Sequence, residues 1–370
     1  MKFTVSSSDL QKTLSKTSGV VPSKSTLPIL EDLLLDLSGN ELKVTATDLE
    51  VSLSVTASVK GSEDGRVAVP ARRVLETVRA LPETQVTVTS DASHKVVITT
   101  ETGEYKLNGE SSDDFPRVAQ SRGEQQIILP AETLRRMISK TLFAVSSDEL
   151  RPAMMGVLVQ MRKDELSAVS TDGHRLVKLT QRKGSLKKGE KDIVIPGKAL
   201  TILAKSSDDS PYSIFFDDSH IMFQYGNTLL ISRLIEEKYP NYESVIPKDN
   251  DKRLVINRDA MLSAVRRVSL YSSLTTHQIR LSLKSGELKL SAEDIDFGGE
   301  AHELLKCQYN QEAMDIGFNS SYIVDVLSHI DTEEAAFLFS NPTRAALVQP
   351  GAQKEGEDFL MLIMPVRLNP

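Results

Sequence analysis

One cysteine, Cys307, is all the chain contains. No intrachain disulfide can form, which fits a reducing compartment such as the cytoplasm. No run approaches the ~20 apolar residues that a membrane-spanning helix requires, so no membrane association is expected. No apolar leader is expected either, since Met1-Lys2-Phe3 opens straight into a domain. The signatures of nucleotide and acyl chemistry are missing: there is no Walker loop, no GxGxxG and no GxSxG elbow. The six histidines (His94, His174, His220, His277, His302 and His329) are scattered without HExxH or Cys/His ligand spacing, so neither metal nor cofactor is expected. What is left is an ordinary soluble composition, 40% hydrophobic and 26% charged. The net charge of −7 argues at first against nucleic acid.

What the chain does have is a threefold repeat. Leu42–Asp48 (LKVTATD) returns as Leu166–Asp172 (LSAVSTD) and again as Leu288–Asp294 (LKLSAED), at offsets of 124 and 122 residues. Arg66–Val78, Asp192–Ala204 and Asp315–Leu327 keep nearly the same interval, as do the segments opening near Phe3, Ile127 and Leu254. A unit of this size is a domain rather than a solenoid repeat. Three domains are expected, at 1–120, 125–247 and 252–370. Their boundaries fall in the polar stretches Asn108–Glu124 and Glu236–Lys252, where Phe115-Pro116 and Tyr239-Pro240 again lie 124 apart.

Each repeat predicts two amphipathic helices among alternating strands. Leu10 and Leu14, Val74 and Val78, Leu134 and Ile138, and Met261 and Val265 lie four apart, giving each helix one apolar stripe. Period-two stretches such as Leu53–Val59, Tyr212–Asp218 and Leu281–Ser291 predict half-buried antiparallel strands. The fold class is therefore α+β, with helices on one face of a sheet. The helices are expected at 9–17, 71–80, 131–141, 197–205, 258–267 and 320–330. They carry thirteen basic against five acidic residues, a net +8, which leaves −15 for the rest. A positive helical surface within a negative shell suits the phosphate backbone without base-specific chemistry. The sixth helix departs from this, with only His329 as a possible cation.

Ser170–Leu176 (STDGHRL) is the most catalytic-looking segment, and a hydrolase using Asp172, His174 and Arg175 is one alternative. Neighbouring residues on a turn do not form a triad, whose members converge from separate elements. The sister segments lack the histidine, and a polar turn between strands accounts for Asp-Gly. A second alternative is a peptide-binding scaffold that does not act on DNA.

With repeats and basic helices established, the chain resembles the bacterial sliding clamps, the beta subunits of DNA polymerase III. The likeness runs the full length. It is carried by MKFTV at the start, Thr26–Leu35 (TLPILEDLLL), Thr47–Leu53 (TDLEVSL), Val69–Arg73 (VPARR), Thr171–Leu176 (TDGHRL), Tyr239–Pro247 (YPNYESVIP), Gly317–Leu327 (GFNSSYIVDVL) and Met364–Leu368 (MPVRL). The resemblance implies three tandem clamp domains that close as a head-to-tail homodimer into a six-domain ring around duplex DNA. Such a protein tethers the polymerase during replication and repair and has no catalysis of its own; the gain is high effective concentration at the template. It also implies DNA polymerase III alpha subunit, the clamp loader, other polymerases, mismatch-repair proteins and ligase as partners.

Residue by residue, the resemblance implies DNA contacts at Lys24, Arg72, Arg79 and Lys198, and at Arg151 beside the acidic Asp148 and Glu149. It implies a partner-peptide pocket of Met154, Thr171, Gly173, His174, Arg175, Leu176, Pro240, Val245, Asn319, Tyr322, Met364, Pro365, Val366, Arg367 and Leu368. A cleft of this composition suits a short peptide with Leu and Phe anchors. Interface positions are Leu270 and Tyr271, with Glu300 and Glu303 facing bases such as Lys106 across the joint. Three departures bear on peptide preference: Ser244 where relatives often have arginine, Met154-Met155 in place of a Leu-containing pair, and the extension Asn369-Pro370.

Overall fold

The computed structural model describes residues 1–118, 125–182, 190–295 and 297–368; Asn369-Pro370 falls outside these. The first repeat runs β1 (Lys2–Ser6), α1 (Ser7–Thr17), β2 (Asp32–Ser38), β3 (Glu41–Thr47), β4 (Val51–Ser58), β5 (Lys60–Glu63), β6 (Gly65–Pro70), α2 (Ala71–Ala80), β7 (Gln85–Ser90), β8 (Lys95–Thr99) and β9 (Glu104–Asn108). The second runs β10 (Gln125–Leu129), α3 (Ala131–Thr141), β11 (Gly156–Met161), β12 (Leu166–Thr171), β13 (Arg175–Gln181), β14 (Lys191–Pro196), α4 (Gly197–Ala204), β15 (Tyr212–Phe216), β16 (His220–Tyr225) and β17 (Thr228–Arg233). The third runs β18 (Lys252–Asn257), α5 (Arg258–Val268), β19 (Gln278–Lys284), β20 (Glu287–Asp294), β21 (Gly299–Lys306), β22 (Met314–Asn319), α6 (Ser320–Ser328), β23 (Glu334–Phe339), β24 (Ala346–Pro350) and β25 (Glu357–Ile363).

The three copies of the seven-residue repeat lie on β3, β12 and β20, at the same place in each pattern. The helices fall where the spacing puts them, within two residues at either end. Helix α1 begins at Ser7 because the Ser6 hydroxyl accepts from the Asp9 amide at 3.1 Å. Asn257 and Asn319 cap α5 and α6 in the same way. Helix α6 ends at Ser328, so His329 lies beyond it rather than on it, correcting the expected 320–330. On α2, Val74, Leu75 and Val78 are buried while Arg72, Arg73, Glu76 and Arg79 face water.

The chain divides into two compact units, residues 1–134 with 198–234, and 135–197 with 235–370. In unit 1, β10, β15, β16 and β17 of the second repeat join β4, β3, β2 and β6 of the first in one eight-stranded antiparallel sheet. The seam is β17 on β4, with Leu230 opposite Leu53. Unit 1 also holds a five-stranded sheet ordered β5-β1-β7-β8-β9. In unit 2, the second eight-stranded sheet is ordered β14-β11-β12-β13-β25-β24-β23-β18, and its seam is β13 on β25. A four-stranded sheet, β21-β20-β19-β22, completes unit 2. Helices α1 and α2 pack together in unit 1, and α5 and α6 in unit 2.

Asp32, at the start of β2, is buried, and its Oδ2 has no hydrogen-bond partner. Burial, with Glu110 and Glu31 nearby, pushes its carboxyl up to about 7. A carboxyl raised in the folded state makes the fold lose stability as pH climbs from the ordinary carboxylate range toward 7. Asp32→Asn removes that loss. Its stability advantage over the parent should grow by roughly 1–2 kcal/mol between pH 4 and pH 8, after allowing for solvent screening. Urea melts at the two pH values measure this; an equal difference at both would mean that Asp32 carries no such penalty.

Candidate functional site

The pocket residues converge in unit 2. The turn between β12 and β13 is held by its own polar groups: Asp172 Oδ1 accepts from the His174 and Arg175 amides at 2.9 and 3.0 Å. Thr171 Oγ1 accepts from the Gly173 amide at 3.1 Å and donates to the Arg175 carbonyl at 2.6 Å. Gly173 has φ +90°, a conformation that favours glycine. This leaves His174 exposed while Thr171 and Leu176 are buried beneath. Met154 adds buried apolar surface from the short helical turn Pro152–Met155.

The last residues form the other wall. After β25, the Met364 amide donates to the His174 carbonyl at 2.8 Å, and the Val366 amide to the Gly317 carbonyl at 2.9 Å. A Cβ on Gly317 would come within 2.7 Å of Leu368 Cδ2 and 2.8 Å of the Val366 carbonyl, so the close approach requires glycine. Met364 stays 41% exposed and Val245 54%, an apolar rim open to solvent. The segment bearing Pro240 and Val245 is anchored by Tyr239 and Tyr242, which pack with Leu158, Val169, Leu176 and Leu362. Burial pushes the Tyr242 hydroxyl up to about 12, and it donates to Gln160 at 2.6 Å. The Ser244 hydroxyl is spent locally, donating to the Asn241 carbonyl at 2.7 Å.

Arg175 is a strut. Its guanidinium donates to Asp172 at 3.1 Å, to the Phe143 carbonyl at 2.8 Å and to Asp325, and it lies 4.9 Å above the Tyr322 ring. The His174 ring stacks 6.0 Å from Tyr322, and Asn319 caps the helix that carries it. No Ser–His–Asp relay forms, because the imidazole turns to Tyr322 and Asp172 is committed to the turn.

Models of the DNA polymerase III beta subunit match the chain in three parts: the N-terminal domain over residues 1–119, the central domain over 128–241 and the C-terminal domain over 243–367. The beta sliding clamp of Pseudomonas putida is 32% identical over 371 residues, covering 100% of both chains. The chain belongs to the DNA polymerase III beta subunit family. The beta sliding clamp of Chlamydia muridarum is 30% identical over 370 residues, again with full coverage of both. Among solved structures, the DNA polymerase III subunit beta of Pseudomonas aeruginosa matches with a TM-score of 0.93 at 31% identity. A Bartonella birtlesii sliding clamp bound to griselimycin matches at 0.95 and 30%, each covering 100% of both chains. As a sliding clamp, the chain is a processivity factor, a non-catalytic polymerase subunit.

The basic residues of this clamp are more compensated than the helix count suggests. Lys24 is exposed in its loop, and Arg79 reaches Ser15 at 3.3 Å from an exposed position on α2. Arg72 pairs with Glu76 at 2.9 Å, Arg151 with Asp148 at 2.8 Å, and Lys198 with Asp48. Arg136 and Lys140 do not contribute to an open positive face. Arg136 bonds Glu357 and Asp331, each at 2.7 Å, and the buried Lys140 bonds Asp331 at 2.6 Å. The expected +8 surface is thus reduced at Arg136, Lys140 and Lys198, where Asp331, Glu357 and Asp48 from outside the helices pair with helix cations.

At the expected interface, Leu270 is 80% exposed and Tyr271 48%. Of the three charges named for the joint, two are paired within one copy. Lys106 bonds Glu104 at 2.5 Å, and Glu303 bonds Arg267 at 2.7 Å, which holds its carboxyl below the usual range. Glu300 is exposed on β21 opposite Glu293. Sequence reasoning missed Ile295 and Phe297, both 81% exposed, and Leu304 at 58%. The available signal was two large apolar residues in the Asp- and Gly-rich turn Glu293–Glu300, where polar residues are the norm.

Proposed function

We propose that two copies of the chain close head to tail into a ring around duplex DNA, and that the unit 2 groove seats short peptides of polymerases and other replication and repair proteins. The strand order carries this reading. Each eight-stranded sheet is four strands of one repeat joined to four of the next, sealed by β17 on β4 or by β13 on β25. The smaller sheets are the unmatched halves: β1-β7-β8-β9 corresponds to the β10-β15-β16-β17 half, and β22-β19-β20-β21 to the β6-β2-β3-β4 half. By the same rule, β9 of one copy pairs with β21 of the next, burying two open edges. Lys24, Arg72, Arg79, Lys198 and Arg151 then supply diffuse attraction to phosphate, which permits sliding. The groove residues Met154, Leu176, Val245, Met364 and Leu368 take apolar anchors. Arg175 stiffens the wall they dock against. Partners in this reading are DNA polymerase III alpha subunit, the clamp loader, other polymerases, mismatch-repair proteins and ligase, at the cytoplasmic replication fork.

The test is topological. Protein loaded by its clamp loader onto nicked circular DNA should persist in salt that defeats phosphate binding, then leave when a restriction enzyme linearises the circle. Equal retention on both forms would reduce the interaction to ordinary binding.

A further inference from the structure

Unit 1 repeats the turn that builds the unit 2 groove, with different chemistry on it. The Leu49 amide donates to Thr47 Oγ1 at 3.1 Å, and Asp48 Oδ1 accepts from the Glu50 and Val51 amides at 3.0 and 2.7 Å. These are the bonds of Thr171 and Asp172. The adjoining strand also docks alike: the Arg233 amide donates to the Glu50 carbonyl at 2.9 Å, as Met364 does to His174. Arg233 therefore stands where the groove has Met364, Glu50 stands for His174, and by repeat spacing Pro116 stands for Pro240.

A pocket of about 210 Å³ opens beside this turn. Leu49, Pro116, Val118 and Ile231 give it apolar walls, and Arg117, Arg233 and the His220 ring line it against the single acid Glu50. Arg233 holds Glu50 only loosely, at 3.8 Å, with both side chains more than half exposed. Leu49 has φ +77° where the sister turn has glycine, and it leaves half of its side chain in water. The positive φ of Leu49 is a backbone cost that glycine would avoid, and a ligand covering its side chain would recover apolar surface now left in water. The volume is below the ~300–1,000 Å³ of drug-sized sites, and suits one anchor side chain.

We propose that this pocket is a second peptide site, selective for a short acidic peptide that inserts one apolar side chain and sets carboxylates against Arg117 and Arg233. The proposal rests in part on the reading of the unit 2 groove as a peptide site, because the two share one turn. Charge complementarity chooses the occupant: exchanging Met364 and His174 for Arg233 and Glu50 and adding Arg117 turns an apolar rim into a net cationic one.

Methyl NMR on the full-length chain, labelled at Ile, Leu and Val methyls, separates the two sites. The probe is the acetylated, amidated pentapeptide Glu-Glu-Leu-Phe-Glu. Saturable shifts are expected at Leu49, Val118 and Ile231. They should weaken at least tenfold in Arg117→Glu/Arg233→Glu and when glutamine replaces the peptide's glutamates. Shifts at Leu176, Val366 and Leu368 report the unit 2 groove and should survive the double variant, which also verifies its fold. Leu49→Gly, compatible with the backbone, should weaken unit 1 binding at least threefold. Shifts confined to the unit 2 methyls overturn the second site alone, and no shifts at either group overturn both readings. Equal shifts of the unit 1 methyls by inorganic phosphate or duplex DNA would make it a general anion site and overturn the proposal.

Discussion

Chains carrying Leu270→Glu and Phe297→Glu together should sediment as monomers and leave nicked circular DNA at least a hundredfold faster than the parent. The two side chains are 80% and 81% exposed, and grouped apolar exposure, unlike a lone residue, marks an interaction surface. The turn bearing Leu270 packs on β20 and β21, and Phe297 lies in the link joining those strands. Both therefore flank β21, the open edge of the four-stranded sheet. Backbone pairing along an edge sets register, while most association energy comes from a few apolar anchors. Placing two carboxylates in a desolvated joint costs more than the ~2.7 kcal/mol equivalent to a hundredfold. Sedimentation equilibrium and dissociation from nicked circles measure both effects. A stable dimer in the double variant would move the interface elsewhere, and unchanged dissociation would argue against closure at this edge.

Arg136→Ala should destabilise the chain by about 2–4 kcal/mol while leaving the salt dependence of DNA association unchanged. The Glu357 side chain is only 7% exposed, and Arg136 is its ion-pair partner. Removing the guanidinium leaves that carboxylate only the Gln181 amide at 3.4 Å, and leaves Asp331 to Lys140 alone. Adding Glu357→Gln should recover part of the loss, since a neutral amide tolerates the site better. Urea denaturation of the single and double variants measures the coupling. A lower salt slope in Arg136→Ala would add this residue to the DNA-facing set.

These two cases show where sequence reasoning reached and where it stopped. Repeat spacing located six helices and the strand pattern, because apolar periodicity is a local property that packing reinforced. It also placed Leu42–Asp48 and its copies on equivalent strands. The fate of charge was not legible. Whether Lys140 faces water depends on Asp331, 191 residues away, and no local pattern reports that partner. The groove was legible only through resemblance: its walls come from Thr171–Leu176, Pro240–Val245, Gly317–Tyr322 and Met364–Leu368, four segments that meet through β13–β25 pairing and the Gly317–Val366 bridge. The exposure of Ile295 and Phe297 was not legible, because no local pattern tells an apolar turn residue that tucks under from one left in solvent.

The two seams within the chain have a mechanical consequence. In a closed dimer of this design, four of six joints are tied by continuous polypeptide, and the two where β9 meets β21 are not. Opening can therefore be confined to a gate whose strength is set independently of the stability of the domains. A loader need part only one such gate to admit a duplex, while the other serves as a hinge. Fusing two copies in tandem would weld one gate shut and leave a hoop with a single latch.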